Sequence, residues 1–508
     1  MANYDYSRLQ NGSDIRGVAL EGVLGETVTI DEETTTRIAK GFLYWLSLET
    51  GKKPSEIRIS LGRDSRLSGK TLLDNFAKAL VQYGVTVLDA ELASTPAMFM
   101  STVFSEYTAD GAVMITASHL PWNRNGFKFF TGKGGLDKGD ITDILTFAES
   151  SQILARLLHS ERGSLRKIPL LDTYSAHLRK IIVKETGSEK PLTGMKICVD
   201  AGNGAGGFYA GKVLAPLGAD ISSSQFLEPD GSFPNHQPNP ENKEAMKYIT
   251  ETVIREKCDL GIIFDTDVDR SSAVDEHGNE IARNEIVAMA AALIADKYPG
   301  TTVVTDSVTG DELNHFLKED LGLSHLRFKR GYRNVINKAI ELNEQGIPSH
   351  LAIETSGHAA YKDNFFLDDG AFLATRIVIK SAQLFKDGLG ISSVLEKLSA
   401  PEESIEARIP ITSRDFAPCA EKALAKVREL AGTHIDGIRL ALVQPNYEGI
   451  RLAYSGKYNG WLLIRKSLHD PILPINIESK EKGGSKAIKK ILCRVLSQVE
   501  GIDATPLK

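Results

Sequence analysis

The feature that most constrains the fold is a repeated succession of a short apolar segment, a polar loop and an amphipathic helix. The first clear copy starts with Ile57–Leu61 and continues through the loop GRDSRLSG. A helix follows, with Ser68 as its predicted N-cap and Gly84 as its predicted C-terminal stop. The β-rich segment VTVLDA comes next. Strand, helix and strand in this order form a βαβ unit, which predicts a mostly parallel sheet.

The same succession recurs along the chain. KICVD precedes AGNGAGG, LGIIF precedes DTDVDR, and TTVVTD and HLAIE each end in polar loops. Three units of this kind predict three related α/β domains, whose ligands bind at the carboxyl ends of the strands. After about Ala400 the pattern changes to strands near Gly437–Val443 and Gly460–Ile464 and a C-terminal helix after Ser485. This part predicts a smaller α+β domain.

The chain length supports several domains. A single core rarely exceeds about 250–300 residues, and this chain has 508. We expect α/β domain I over residues 1–165, α/β domain II over 166–280, α/β domain III over 281–400 and α+β domain IV over 401–508.

Composition argues against several classes of protein. The formal net charge of -6 disfavours binding to nucleic acid or to an anionic membrane. No apolar segment reaches about 18 residues, so we expect no transmembrane helix. The four cysteines form no C-x-x-C pair, which favours reduced thiols. Residues 1–12 lack the apolar core of a signal peptide. We expect a cytoplasmic monomer or small homo-oligomer, or a protein of the plastid stroma if a transit peptide has been removed.

The segment TASHLPWNRNGFKFF places a serine directly after a predicted strand. Ser118 follows the apolar run Ala112–Ile115 and precedes His119. A serine in such a loop is exposed where a nucleophile or a phosphate acceptor is needed. His119 and Lys128 are candidates to exchange protons or to hold phosphate charge. The alternative is an ordinary Ser/Thr turn beside a solvated histidine.

The segment FDTDVDR carries three carboxylates after an apolar strand. Asp265, Asp267 and Asp269 alternate, and alternation in extended backbone turns all three to one side. Two carboxylates about 5 Å apart repel by roughly 3 kcal/mol at an effective dielectric constant near 20, so three of them favour a bound cation. An all-oxygen site suits Mg²⁺, and Arg270 beside it is a candidate phosphate ligand. The alternative is a solvated acidic turn.

The segment IETSGHAAY carries candidate ligands for a sugar. Glu354, Ser356 and His358 follow a predicted strand, and Gly357 permits a close backbone approach. Carboxylate and hydroxyl groups suit sugar hydroxyls. The alternative is a plain polar turn.

The segment WLLIRKSLHDP carries candidate ligands for a phosphate. Arg465 follows a predicted strand, and its guanidinium matches a phosphate with two hydrogen bonds. Ser467, His469 and backbone N–H groups would complete the anion site. The alternative is an ordinary surface loop.

Taken together and in this order, the segments resemble the α-D-phosphohexomutase superfamily, which includes phosphoglucomutases and phosphomannomutases. Landmarks of that family are matched by SDIRG, GRDSRLSG, TASH with NGFK, VDAGNGAGG, PDGSFPNHQPNPEN, DTDVDR, ETSGH and the loop Arg465–Pro471. The resemblance spans nearly the whole chain. It implies four domains around a central cleft, with three related α/β domains and a smaller α+β domain that closes over the substrate phosphate.

The resemblance also implies the site residues. The implied catalytic residues are Ser118, His119, Lys128, Arg16 and Arg270. The implied ligands of one Mg²⁺ per chain are Asp265, Asp267, Asp269 and Ser118. The implied substrate ligands are Glu354, Ser356, His358, Arg465, Ser467, His469, Gly331 and Arg333.

The implied activity is that of a mutase, which interconverts hexose 1-phosphate and hexose 6-phosphate with glucose or mannose as the sugar. Phosphorylated Ser118 would donate its group to the substrate and take the other phosphate back, with hexose 1,6-bisphosphate as intermediate and activator. Three alternatives stay open. A hexose 1,6-bisphosphate synthase would use the same serine, a haloacid-dehalogenase-type phosphatase would use Asp265 as nucleophile, and a non-enzymatic protein would only bind sugar phosphates.

Some positions differ from the family pattern. Leu120 stands where asparagine is common after the Ser-His pair. Arg330 and Tyr332 in KRGYRN replace other polar residues, and the phosphate loop reads SLHDP instead of Ser-Gly-Thr-Glu-Pro. These differences bear on which hexose is bound and on the phosphate contacts beyond Arg465 and Ser467.

Overall fold

The computed structural model describes residues 5–157, 162–467 and 470–508. The chain divides into two compact units. The first unit comprises Met1–Leu293 and Ser356–Val394, and the second comprises Ile294–Thr355 and Leu395–Lys508. Among the described residues, we find no helix with the length and apolarity that a membrane crossing requires.

The first unit begins with an eight-stranded sheet. Its strands in spatial order are Gln10–Asn11, Asp14–Val18, Arg124–Thr131, Gly111–Ile115, Arg58–Arg63, Thr86–Leu92 and Ser164–Lys167, with Gly134–Gly135 paired to Arg124–Thr131. Arg58–Arg63 is parallel to both of its neighbours, as the βαβ pattern predicts. The accompanying helices are Glu32–Thr50, Gly69–Val81, Thr95–Met100, Lys138–Glu149 and Ser151–Leu154.

The helix predicted after the first parallel strand is observed as Gly69–Val81. Leu72 and Phe76 are buried and lie four residues apart, so they share the face that packs into the core. Ser68 directly precedes the helix, as predicted. Its hydroxyl does not cap the helix: the backbone of Ser68 is already helical, and its Oγ accepts a hydrogen bond from Asn125 Nδ2 at 2.9 Å.

A second sheet of the first unit has four strands. Their spatial order is Glu280–Ile281, Ser271–Val274, Leu260–Phe264 and Ile197–Asp200. All five residues of Leu260–Phe264 are buried. The loop that follows this strand, residues 265–270, is called the acidic loop below, and it starts from the interior of the unit. A hairpin of Ala359–Tyr361 and Leu367–Asp368 lies in the same unit. The helices are Leu170–Thr186, Lys243–Glu256, Asn284–Ala295, which leads into the second unit, and Gly370–Lys386, with a π-helical turn at Tyr209–Leu214.

The second unit contains three parallel strands and a separate antiparallel sheet. The parallel strands in spatial order are Ser324–Arg327, Thr302–Thr305 and Ser349–Ile353, and their helices are Asp311–His315 and Tyr332–Glu344, with a π-helical turn at Phe316–Asp320. The six antiparallel strands in spatial order are Glu403–Pro410, Ile472–Ser479, Gly460–Ile464, Ile450–Gly456, Ile438–Leu442 and His434–Ile435. The helices Phe416–Arg428 and Gly484–Leu496 accompany this sheet.

The antiparallel sheet and its two helices form the sheet-rich C-terminal domain that the sequence predicts. Gly460–Ile464 is a strand within the predicted bounds. In the helix Gly484–Leu496, Ile488 and Ile491 are buried in the core of the domain, as expected for its apolar face. Trp461 lies beneath the guanidinium of Arg451, with 3.7 Å between the Arg451 Cζ and the ring centroid.

Candidate active site

Ser118 lies in a loop, residues 116–123, that follows the buried strand Gly111–Ile115 and is called the Ser118 loop below. Its φ of 49° falls in the left-handed region, which residues other than glycine rarely adopt. Ser118 Oγ lies 3.1 Å from Asp265 Oδ2 and 3.3 Å from His119 Nδ1. Trp122 in the same loop is 37% exposed. A strained backbone that presents a buried hydroxyl is typical of a functional residue.

Arg66 holds the Ser118 loop in place. Its buried guanidinium donates hydrogen bonds to four backbone carbonyl oxygens of this loop and its exit, those of Ser118, Leu120 at 2.6 Å, Pro121 at 2.8 Å and Arg124 at 3.0 Å. One rigid side chain thereby satisfies carbonyls that would otherwise lack partners.

Asp64 completes this support from beneath the loop. Its buried Oδ2 lies 3.3 Å from Arg66 Nε and accepts a hydrogen bond from Thr116 Oγ1 at 2.7 Å. Thr116 Oγ1 in turn accepts the backbone N–H of Ser118 at 2.8 Å. GRDSRLSG matches a family landmark, but this supporting role of Asp64 and Arg66 was not predicted. The available signal was an Asp-x-Arg pair directly after the strand that neighbours the one leading to Ser118.

Arg16 approaches the Ser118 loop from the strand Asp14–Val18. Its Nη1 donates to Ala117 O at 3.4 Å, and its Nη2 donates to Asp14 Oδ2 at 2.8 Å. Arg16 pairs with Gly126 across the sheet, where a Cβ would lie only 2.0 Å from Ile15 O. Glycine at position 126 therefore permits the close pairing that places Arg16 here, and its catalytic role stays a prediction.

The three aspartates of the acidic loop converge, as their alternation predicts. Asp265, Asp267 and Asp269 are buried, and one carboxylate oxygen from each lies within 4.8 Å of the others. Among the described residues, the Oδ1 atoms of Asp267 and Asp269 have no hydrogen-bond partner. Burial and the two neighbouring carboxylates raise the pKa of Asp265 well above its usual range. Buried carboxylate oxygens without donors fit Mg²⁺, although its binding here stays a prediction.

Two basic side chains flank the acidic loop. Lys128 Nζ contacts Asp269 Oδ2 and lies 3.2 Å from Asp267 Oδ2. His358 Nδ1 lies 2.6 Å from Asp368 Oδ2 and 3.9 Å from Asp269 Oδ1. Burial acts to lower the pKa of His358, but Asp368 and Asp269 outweigh it and raise this pKa to about 9. His358 is therefore a cation beside the acidic loop, and its predicted contact with substrate is untested.

Arg270 connects the acidic loop to the Ser118 loop. Its Nη2 lies 3.4 Å from Ser118 Oγ and 2.8 Å from His119 Nδ1, and its Nε donates to Asp265 Oδ2 at 3.2 Å. Burial and then the positive charge of Arg270 lower the pKa of His119 to about 2. The imidazole is therefore neutral near pH 7. Ser118 Oγ thus lies among the carboxyl group of Asp265, a guanidinium and a neutral imidazole.

The remaining predicted ligand of the first unit is Ser356. It is buried, and its Oγ has no hydrogen-bond partner within the described part of the chain. A hydroxyl of this kind is available to a ligand.

In the second unit, Glu354 and Gly331 are in direct contact. Glu354 Oε1 accepts the backbone N–H of Gly331 at 2.7 Å. Gly331 has a φ of 107° and directly precedes the helix Tyr332–Glu344, whose first turn carries Arg333. The structure therefore brings Glu354 and Gly331 together at the start of the helix that bears Arg333. Their role in substrate binding stays a prediction.

Arg465 directly follows the strand Gly460–Ile464 and is partly buried. Its Nε is buried and has no hydrogen-bond partner among the described residues. Ser467 donates its backbone N–H to Ile472 O at 3.2 Å and accepts the N–H of Asp470 on its Oγ at 3.2 Å. His469 lies outside the described residues, so its predicted phosphate contact stays a prediction.

Two acidic side chains near these ligands were not among the predicted site residues. Glu448 Oε2 accepts hydrogen bonds from Arg330 N at 3.2 Å and from Ser307 Oγ. Asp306 Oδ2 accepts from Thr355 Oγ1 at 2.8 Å and lies 3.6 Å from Arg330 Nε. Asp306 ends the β-rich segment TTVVTD, and this position at the end of a predicted strand could have indicated a site residue. The sequence around Glu448 gives no indication of its partners.

Three family models match the chain. They are described as phosphoglucomutase/phosphomannomutase alpha/beta/alpha domains I, II and III, and they match residues 7–151, 172–278 and 282–398. The chain belongs to the phosphoglucomutase/phosphomannomutase family. This membership confirms the resemblance and the three related α/β domains. The boundaries near residues 165, 280 and 400 stay predictions.

Relatives of the phosphoglucomutase/phosphomannomutase family match this chain almost end to end. A phosphoglucomutase from Neisseria gonorrhoeae is 28% identical over 485 residues, which cover 95% of each chain. A phosphomannomutase/phosphoglucomutase from Pseudomonas putida is 27% identical over 494 residues, which cover 96% of each chain. The crystal structure of a family protein from Burkholderia thailandensis is 25% identical, with a TM-score of 0.76 and coverage of 96% of this chain and 97% of that chain. The similarity therefore extends into the C-terminal domain.

Proposed function

We propose that this protein is a phosphohexomutase that interconverts hexose 1-phosphate and hexose 6-phosphate, with Ser118 as its phosphoryl carrier. The observation that carries the proposal is the position of Ser118 Oγ, 3.1 Å from Asp265 Oδ2 and 3.4 Å from Arg270 Nη2. A phosphoryl group on this oxygen would lie beside both the acidic loop and a guanidinium. Family relatives named phosphoglucomutase and phosphomannomutase support glucose and mannose phosphates as substrates.

The residues that would hold one Mg²⁺ are Asp265, Asp267, Asp269 and Ser118. When bound, the ion would polarise a phosphoryl oxygen and offset the charge that develops in transfer. The buried, donor-free oxygens of the acidic loop support this assignment.

The side chains around Ser118 suit the bonds that change. In the forward step, the bond from phosphorus to Ser118 Oγ breaks, and a sugar oxygen forms the new bond to phosphorus. The proton of that sugar hydroxyl ends on Ser118 Oγ, and His119, whose Nδ1 lies 3.3 Å from this oxygen, would assist by hydrogen bonding. Arg270 and Arg16 would hold the phosphoryl oxygens by charge-assisted hydrogen bonds. The cation Lys128 would offset negative charge beside the acidic loop.

The other predicted ligands would bind the parts of the substrate that do not react. Glu354, Ser356 and His358 would bind sugar hydroxyls that are equivalent in both orientations of the hexose. Gly331 and Arg333 would contribute to the same recognition. Arg465, Ser467 and His469 would bind the non-reacting phosphate. After hexose 1,6-bisphosphate turns around, the same groups would bind the opposite end, and added bisphosphate would act as activator by keeping Ser118 phosphorylated.

A coupled assay tests the proposal. Glucose 1-phosphate, mannose 1-phosphate and glucosamine 1-phosphate are each supplied with Mg²⁺ and a trace of the matching bisphosphate, and the 6-phosphates are measured. We expect turnover on glucose and mannose phosphates without net loss of bisphosphate. Intact mass should show one phosphate added at Ser118 after exposure to glucose 1,6-bisphosphate. Accumulation of bisphosphate only when an outside donor is added would instead establish a synthase.

A further inference from the structure

The backbone at Arg465 lies against the segment that leads into a neighbouring strand. Gly449, with a φ of 60°, precedes the strand Ile450–Gly456. A Cβ at Gly449 would lie 2.1 Å from Ile464 O and 2.9 Å from Arg465 Cα. The backbone that follows Glu448 is therefore pressed directly against the backbone of Arg465.

The side chain of Glu448 contacts another arginine, Arg330. Its Oε2 accepts the backbone N–H of Arg330 at 3.2 Å, together with the hydroxyl of Ser307. The side chain of Arg330 has a different partner: its Nε lies 3.6 Å from the buried carboxylate of Asp306. This side chain is 30% exposed. Glu448 and Asp306 thus hold Arg330 close to the segment on which Arg465 lies.

The two arginines are near enough to affect each other electrostatically. Burial lowers the pKa of Arg465, the positive charge of Arg330 lowers it further, and the carboxylates of Glu448 and Asp306 oppose this effect. Like charges in a partly buried site repel, which costs free energy unless an anion offsets them. Two guanidiniums have up to four N–H donors suited to one tetrahedral anion.

We propose that Arg330 and Arg465 bind one and the same phosphate, the non-reacting phosphate of the hexose phosphate, and that Arg330 makes this site selective for a dianion. This inference rests on the proposed function for the identity of its ligand. Arg330 becomes a specificity-determining residue, and Glu448 and Asp306 become positioning residues that set the spacing of the two guanidiniums.

Selectivity follows from charge. A phosphate monoester is largely a dianion at pH 8, whereas a sulfate ester of the same shape is a monoanion. One arginine fully compensates a monoanion, so the second arginine adds little to its binding. A dianion uses both guanidiniums, so removing either one leaves one negative charge without a partner.

Calorimetric titration with paired ligands tests the proposal. Glucose 6-phosphate and glucose 6-sulfate are titrated at pH 8 into a Ser118→Ala protein, which cannot transfer phosphate, and into the same protein with Arg330→Gln, Arg330→Lys or Arg465→Gln. We expect Arg330→Gln to raise the Kd for the phosphate at least about 10-fold and the Kd for the sulfate less than about threefold. Arg330→Lys should recover part of the loss. Arg494→Gln, an exposed arginine of the same unit paired to Asp436 at 3.3 Å, serves as the matched control and should change neither Kd.

The double variant Arg330→Gln/Arg465→Gln tests whether the two side chains share one phosphate. If they do, its loss of affinity should be smaller than the product of the two single losses, because each single change already disrupts the common contact. An unchanged phosphate Kd in Arg330→Gln, equal losses for phosphate and sulfate, or strictly multiplicative losses would overturn the proposal. Wild-type turnover in the coupled assay is independent of these titrations, so failure of the shared arginine site is distinguishable from failure of the mutase proposal.

Discussion

The Ser118 site of the first unit and the Arg465 site of the second unit organise charge in opposite ways. Around Ser118, the side chains of Asp265 and Arg270 are buried and already bonded to each other. Around Arg465, Arg330 is partly exposed and the Nε of Arg465 lacks a partner among the described residues. We infer that the first arrangement suits chemistry, which needs groups fixed before the reaction, and that the second suits recognition, which the ligand itself completes.

The largest effect should come from removing the phosphoryl carrier. Ser118→Ala deletes the oxygen around which the first site is built, so we expect mutase activity to fall at least about 1000-fold. Intact mass should show no phosphate gained from glucose 1,6-bisphosphate. The melting temperature should change little, because Arg66 bonds to the backbone of the loop and not to the lost hydroxyl. Full mutase activity in this variant would contradict the role of Ser118, and phosphate release that persists in it would favour the phosphatase alternative.

A strong effect is also expected from the acidic loop. Asp267→Asn should lower kcat about 100-fold, because the site loses a charged oxygen for the cation that offsets transition-state charge. Chelation should abolish wild-type activity, and added Mg²⁺ should restore it. Asp74→Asn is the matched control, since Asp74 is exposed and paired to Lys70. Activity that survives thorough chelation would contradict the proposed role of Mg²⁺.

The rigidity of the first site depends on Arg66. Arg66→Lys retains the charge but cannot donate to four carbonyl oxygens, so the Ser118 loop should loosen. We expect kcat to fall about 10-fold to 100-fold and unfolding to become easier by about 2–4 kcal/mol. Mg²⁺ affinity, followed by calorimetry, should fall less than kcat, because three of the four proposed ligands are aspartates of another loop. Equal loss of metal affinity would mean that the two loops do not act separately.

The second site should respond more weakly, and in KM. Glu448→Ala removes the acceptor shared by Ser307 and Arg330. Because Arg330 would then be held less firmly, we expect KM for hexose phosphate to rise about threefold to tenfold with kcat within about twofold. A drop in kcat with unchanged KM would contradict the assignment of the second site to substrate recognition.

The smallest expected effect is a pH dependence of folding stability that arises from His236 and Asp200, a pair that lies next to the Ser118 site. His236 lies 3.1 Å from Asp200, and the adjacent Gln237 donates to His119 O at 2.6 Å. Burial acts to lower the pKa of His236, but its hydrogen bond and attraction to Asp200 outweigh burial and raise it. The pair should therefore stabilise the fold fully below about pH 6.5, and this stability should decline as pH rises through the pKa of the folded state.

Thermal unfolding measured from pH 6 to pH 9 checks this prediction. Wild type should lose stability over that range more steeply than His236→Gln, which has no titrating ring. Parallel pH profiles for the two proteins would show that the pair does not ionise as described.

The elements and groups that could be predicted are those specified by local sequence. Gly69–Val81 and Gly460–Ile464 follow from spacing of apolar residues. The convergence of Asp265, Asp267 and Asp269 follows from alternation after a buried strand. Each of these depends on residues a few positions apart.

The contacts that could not be predicted join residues far apart in the sequence. Arg66 bonds to carbonyls more than 50 positions away, and Glu448 bonds to Arg330 across 118 positions. His358 was assigned to sugar binding from its segment, but its close partner Asp368 comes from a hairpin strand that only the fold brings near. Such pairings depend on how strands are ordered in space, and one sequence does not encode that order in any local pattern.

The position of Trp122 within the Ser118 loop has an optical consequence. The chain has three tryptophans, of which Trp122 is 37% exposed, while Trp45 and Trp461 are buried. An aqueous quencher such as iodide should therefore reduce only the fluorescence of Trp122, which emits at the red edge of the spectrum. Because this indole lies four residues from Ser118, attachment of a phosphoryl group there should shift its intensity or lifetime. Stopped-flow fluorescence of the unlabelled protein would then measure the rate of the first phosphoryl transfer. The blue-edge emission of the buried indoles would serve as an internal reference.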